Sequence, residues 1–172
     1  VIKIERPPDG DDLRHYDPKI GRDSAQYHTL NRGKSLLLVD LRDAADRLRV
    51  EPWLKQADIL IDQFRPGVLE RLGLGYDAVK SINPGIIYCS LTGWGQTGPK
   101  ADKASHDLNF LAESGHLGLT SGADGAPVLP PLLAADIAGG VYPAIINILL
   151  AFIRRQATGM GTHLDIAISD GL

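Results

Sequence analysis

Residues 103–115 read KASHDLNFLAESG and set a histidine, His106, directly beside a carboxylate, Asp107. A second carboxylate, Asp136, follows in LLAADIAGG, near the start of an otherwise apolar run. An imidazole and a carboxylate approaching one substrate atom from opposite sides form an acid–base pair. Carbon-acid chemistry needs such a pair. An α-proton beside a thioester is weakly acidic, so one group must remove it while the enolate oxygen is stabilised, and return of the proton from the opposite face inverts the centre. The same spacing also allows a bland arrangement, with His106 capping or packing locally and Asp136 serving as a charge at a helix N-terminus.

The elements that must position these residues can be read around them. Ser105 is predicted to cap a helix over about 106–114 that ends at Gly115. His106 and Asp107 then fall in its first turn, where unpaired N–H groups and the positive end of the helix dipole favour a carboxylate or a developing oxyanion. Just before it lies the glycine-rich TGWGQTGP. Asp136 is predicted near the start of a long helix over about 133–157, ended by TGMG, where a carboxylate needs partners or a use. THLDIAI at 162–168 is predicted as a strand.

Upstream, four short apolar runs (VIKI at 1–4, SLLLVDL at 35–41, DILID at 58–62 and GIIYCSL at 85–91) predict parallel strands buried on both faces. Helical patterns separate the later ones. DAADRLRVEPWLKQA has Asp43 as its cap and is divided by Pro52, and RPGVLERLGLGYDAVKSINPG makes two short helices punctuated by Gly73 and Gly75. The alternation predicts an α/β fold, an open parallel sheet flanked by helices. Such sheets bind ligands beyond the carboxyl ends of their strands. Three of the segments there carry an arginine (Arg6, Arg42 and Arg65), and the fourth is the glycine loop. Arginines and free backbone N–H groups suit an anionic ligand bearing phosphates, although any one of these arginines alone also reads as solvated surface. Neither G-x-G-x-x-G after a strand nor a P-loop is present.

The 172 residues are 44% hydrophobic, enough for one domain with a core, and the net charge of −3 argues against a nucleic-acid binder. Lone Cys89 excludes a disulfide framework and a cysteine-rich zinc site, which fits a reducing, cytoplasmic setting. The longest apolar stretch, LPPLLAADIAGGVYPAIINILLAFI, is interrupted by Pro130, Pro131, Asp136, two glycines, Pro143 and Asn147, and is predicted as a buried helix rather than a membrane span. The chain opens on VIKIE as a strand already under way and closes on ISDGL as the first turn of a helix, so it reads as part of something longer.

The stretches VIKIERP, LNRGKSLLLVDLRD, ADILIDQFRPGVLERLGLGYDAVKSINPGIIYCSLTGWGQTGP, SHDLNFLAESG, LLAADIAGG and RRQATGMGTHLDIAISDGL together resemble the family III coenzyme A transferases. The resemblance implies a Rossmann-like large domain, an acyl-CoA substrate, no metal, no cofactor beyond coenzyme A itself, and two subunits interlocked like links of a chain. It also implies that residues 1–172 are part of the large domain, without the family's first strand, small domain and returning C-terminal segment. Within the family, transferases tend to read Y-D-x-x-x-Q and use that aspartate as a nucleophile, whereas racemases tend to read G-H-D-[IL]-N-Y-L-A-L-S-G. This chain has His106 before Asp107, Asn109 two residues on, and Leu111 in place of the glutamine. It therefore resembles the racemase branch, with His106 and Asp136 as the acid–base residues and 1,1-proton transfer at the α-carbon as the reaction. Ser105, Phe110 and Glu113 depart from that pattern. Asp107 stays available as the nucleophile of a CoA-transferase, and a non-catalytic CoA-binding fragment is the third possibility. For coenzyme A, the resemblance carries over to Arg6, to Val39, Asp40, Leu41 and Arg42, and to Arg65, with Ser105, Leu108, Asn109 and Phe110 contacting the thioester end.

Overall fold

The computed structural model describes residues 1–172, which form two compact units, Val1–Trp53 and Leu54–Leu172. Together they are mixed α/β, with parallel strands flanked by helices, as predicted.

In the first unit, β1 (Ile2–Glu5) is followed by a 3-10 turn, Asp12–His15, and a hairpin of two two-residue strands, β2 (Lys19–Ile20) and β3 (Asp23–Ser24). Next come α1 (Ala25–Asn31), β4 (Ser35–Leu38) and α2 (Ala44–Leu48). Strands β1 and β4 pair in parallel, from Ile2 opposite Ser35 to Glu5 opposite Leu38. A buried ion network centred on Glu5 holds the intervening segment. Its carboxylate accepts from Arg14 Nε at 2.8 Å, Lys3 Nζ at 2.7 Å and Tyr27 Oη at 2.8 Å. Arg14 also donates to Asp23 at 2.9 Å and lies 3.9 Å over the Tyr27 ring. Burial pushes the Glu5 carboxyl up, but the three donors outweigh it and hold the pKa at about 2. Asp43 caps α2 as predicted, accepting from the Ala45 and Asp46 N–H groups. Pro52 sits in the first turn of the next helix, α3 (Glu51–Leu54), where its missing N–H costs nothing.

The second unit contains β5 (Ile59–Asp62), α4 (Val68–Arg71), α5 (Tyr76–Ile82), β6 (Ile87–Thr92), α6 (Asp107–Glu113), α7 (Tyr142–Thr158) and β7 (Thr162–Ala167). Its sheet is wholly parallel in the order β5-β6-β7, with Leu60, Tyr88 and His163 in register. One face (Ile87, Cys89, Ile166) packs on Ala144, Ile148 and Ala151 of α7. Burial pushes the Cys89 thiol up to about 11, which keeps it protonated and unreactive. On the other face His163 stacks on Tyr76 at 4.9 Å and hydrogen-bonds Ser90 Oγ at 2.9 Å.

Gly159, at φ 71°, ends α7 as predicted. Gly161 then passes so close to β6 that a Cβ there would fall on the Ile86 carbonyl, the acceptor for Thr162 N–H at 3.1 Å. Gly161→Ala is expected to destabilise the protein by about 2–3 kcal/mol, read as a lower melting temperature, because the obstruction is backbone and cannot swing aside.

Burial differs from expectation in two places. Only β6, the central strand, is covered on both faces, whereas Ile2, Ile4, Leu36, Leu38, Ile59 and Ile61 are exposed on β1, β4 and β5. The long apolar helix is likewise not buried all round. Its Ala144, Ile148 and Ala151 stripe faces the sheet, and Ile145, Ile146, Leu149, Leu150 and Ile153 face outward. By length and composition alone, Asp136–Thr158 is apolar enough to cross a bilayer.

Candidate active site

Strand β6 ends at Thr92 and delivers the glycine loop onto the start of α6. A Cβ on Gly93 would strike the Phe110 ring and Ser105 Oγ, so only glycine lets the loop lie this close. Trp94 meets Phe110 edge-on at 5.0 Å. Asp165 at the far end of β7 accepts the Gln96 N–H with both carboxylate oxygens at 3.1 Å, which fixes the loop's next turn. Three buried polar atoms here, Thr92 Oγ1, Trp94 Nε1 and Gln96 Nε2, have no hydrogen-bond partner. Buried donors without partners are costly, and such groups cluster where a ligand takes them up. The predictions singled out the glycine content of this loop but missed its side chains, whose signal was their interleaving with those glycines.

Helix α6 begins one residue later than predicted. His106, not Ser105, is the N-cap, with extended backbone (φ −137°, ψ 173°), and Asp107 is the first helical residue. The deciding contact is Asn109, whose Oδ1 reaches back to accept the His106 N–H at 2.9 Å. Asn109 is therefore engaged in capping. Phe110 is buried beside Trp94 and Leu111, while Leu108 and the His106 side chain are exposed.

The second half of the site comes from the start of the long helix. Residues Asp136–Val141 form a π-helical segment that runs directly into α7, a widened turn of the kind found at functional positions. Gly139 and Gly140 are buried there against the 3-10 turn Ile168–Gly171, and a Cβ on Gly139 would fall on the Ile168 carbonyl. Ala135 packs with Phe110 and Leu111 of α6. The two segments are joined by a hydrogen bond from Asp136 N–H to Asp107 Oδ1 at 2.9 Å.

His106, Asp107 and Asp136 are thus brought together, as the spacing suggested. Their environments differ. Asp107 is only 8% exposed and commits an oxygen to the backbone of residue 136. Asp136 is half-buried, and no protein group hydrogen-bonds its carboxylate. Burial raises its pKa above the ordinary carboxylate value, the charge of Asp107 raises it further, and His106 opposes both.

The three arginines lie after their strands as predicted, in different surroundings. In the first unit, Arg6 follows β1 and Val39–Arg42 follow β4, and the Arg6 charge bears on Asp40. Arg42 is not a free cation, because its guanidinium forks onto the Asp40 carboxylate at 2.6 and 2.9 Å. Val39 is buried, so it presents backbone only, and the Leu41 carbonyl accepts from Arg47 at 2.8 Å. In the second unit, Arg65 is exposed after β5, beside the turn in which Asp62 accepts the Phe64 N–H at 2.8 Å.

The parallel α/β scaffold thus groups a histidine and two aspartates beyond its central strand. Residues 1–172 match the family model of CoA-transferase family III, and the chain belongs to that family. It is 40% identical over 172 residues to the acetyl-CoA:oxalate CoA-transferase of Acetobacter aceti, covering 99% of this chain and 44% of that protein. It is 35% identical over 155 residues to human alpha-methylacyl-CoA racemase, covering 89% of this chain and 41% of the relative. A solved CaiB/BaiF family protein from Brucella suis superposes with a TM-score of 0.91 at 39% identity, covering 98% of this chain and 46% of that one. The chain thus spans a little under half the length of these relatives.

Proposed function

We propose that the full-length protein moves coenzyme A between carboxylic acids, with Asp136 as the reacting carboxylate. One observation carries this reading. Asp136 alone of the two aspartates is half-buried with its carboxylate unpaired, whereas Asp107 is buried and bonded to backbone. The nucleophile's role expected for Asp107 therefore passes to Asp136. Its carboxylate attacks the thioester carbonyl, the C–S bond breaks, coenzyme A leaves as the thiolate, and a mixed anhydride joins the acyl group to Asp136. The donors of the glycine loop suit the oxyanion that develops on the way. The oxalate transferase from Acetobacter aceti supports transfer as the reaction class. Arg6 and the Asp40–Arg42 pair in the first unit, and Arg65 in the second, are proposed as contacts for the phosphates of coenzyme A. The interlocked dimer, a cytoplasmic location and the need for no other cofactor belong to the same proposal.

A second reading, α-proton transfer in an acyl-CoA racemase, is favoured by His106, which is exposed at the helix cap and close enough for its charge to act on Asp136. One experiment separates the two. A 2-methylacyl-CoA is incubated with full-length enzyme in heavy water, first alone and then with an acceptor acid and hydroxylamine. Transfer predicts no loss of the α-proton signal, and a hydroxamate at Asp136. Loss of that signal without an acceptor, abolished by His106→Ala, establishes the racemase chemistry instead.

A further inference from the structure

We propose that Asp107 is a positioning residue for Asp136: it anchors the backbone of residue 136 through Oδ1 and supplies the negative field in which the Asp136 carboxylate reacts. This rests on Asp136 being the reacting carboxylate.

The geometry is specific. The Asp136 N–H lies at the entry of the helical segment, where backbone donors lack intrahelical partners, and Asp107 satisfies it from another helix at 2.9 Å. One turn further along α6, Phe110 and Leu111 pack on Ala135. Residue 136 is therefore held by one helix through both backbone and packing. Asp107 is too buried for direct attack on a substrate and has an oxygen already engaged, yet its charge acts on Asp136. A neutral side chain would serve for anchoring alone. The other charged groups around the segment are His106, which acts in the opposite sense, and Asp170 on the packed Ile168–Gly171 turn, which is exposed.

Asp107→Asn, Asp107→Ala and Asp136→Asn in the full-length protein separate these functions. Asparagine retains an acceptor for the Asp136 N–H but removes the charge. Without that charge Asp136 ionises more easily, so the acid limb of the kcat profile should move to lower pH while KM and the melting temperature hold. Asp107→Ala should lose roughly 100-fold in kcat at every pH, because the carboxylate is no longer held in place. Should the alanine variant not fold, the asparagine profile decides alone. An acid limb for Asp107→Asn that superimposes on the wild type would overturn the proposal. Failure of the underlying reading looks different: Asp136→Asn would still give a hydroxylamine-trapped intermediate, and Asp107→Asn would not.

Discussion

Asp136→Ala in the full-length protein is expected to lower kcat for CoA transfer by about 10⁴-fold and to abolish the hydroxamate, while leaving the fold intact. The stability expectation follows from the site. The Asp136 carboxylate is half-buried and makes no hydrogen bond to protein, so its removal deletes a poorly solvated charge and breaks no contact. The kinetic expectation follows from the same facts, since a carboxylate that water stabilises poorly is a better nucleophile. Only its ionised form attacks, so the wild-type rate should climb with pH through a pKa lying above the ordinary carboxylate value. Steady-state kinetics from pH 4 to 8, set beside thermal melts of both proteins, checks this. A variant that melts normally and retains more than a tenth of wild-type turnover would remove Asp136 from the chemistry.

The second large effect is on stability. Glu5→Ala removes the buried acceptor shared by Arg14, Lys3 and Tyr27, leaving Arg14 with Asp23 and Lys3 with Asp11, and losing these charge-assisted hydrogen bonds costs about 2–3 kcal/mol. A loss of that size lowers the melting temperature by roughly 10 °C. The pH dependence has a definite sign. The folded pKa of Glu5, about 2, lies below its ordinary 4.5, so its contribution is complete above pH 4.5 and disappears as the pH falls towards 2. Wild-type protein should therefore lose stability steeply through that window, and Glu5→Gln should lose less. Denaturation midpoints at pH 7, 4.5 and 3 measure the difference.

Much of the scaffold was legible because it obeys local rules. Asp43 caps α2 with its side chain, and Gly73 and Gly159 take the left-handed backbone that stops α4 and α7, none of which needs a tertiary contact. The grouping of His106, Asp107 and Asp136 was legible as well. Their division of labour was not, because the full burial of Asp107 and the partial burial of Asp136 depend on how Phe110, Leu111 and Ala135 pack. The cap was misplaced by one residue because serine caps well in general, and only the Asn109 amide reaching back selects His106. The hairpin at Lys19–Ile20 and Asp23–Ser24 is too short for any alternation to register. The network of Lys3, Glu5, Arg14 and Asp23 left no mark in the sequence, because a charged residue carries no sign of its partners.

The π segment bears on how this helix can be aligned and engineered. A widened turn holds one residue more than an α turn, and one residue corresponds to about 100° of rotation about the axis. A helical wheel drawn from Ala144, Ile148 and Ala151 back through the segment therefore assigns Asp136 to the wrong azimuth. Deleting a single residue between Asp136 and Val141 would restore an ordinary helix while keeping both α7 and Asp136 close to their present azimuths, because the residue removed is the one the widened turn takes up. A one-residue gap is therefore absorbed in this stretch, whereas the same gap within α7 would turn its sheet-facing stripe by about 100°.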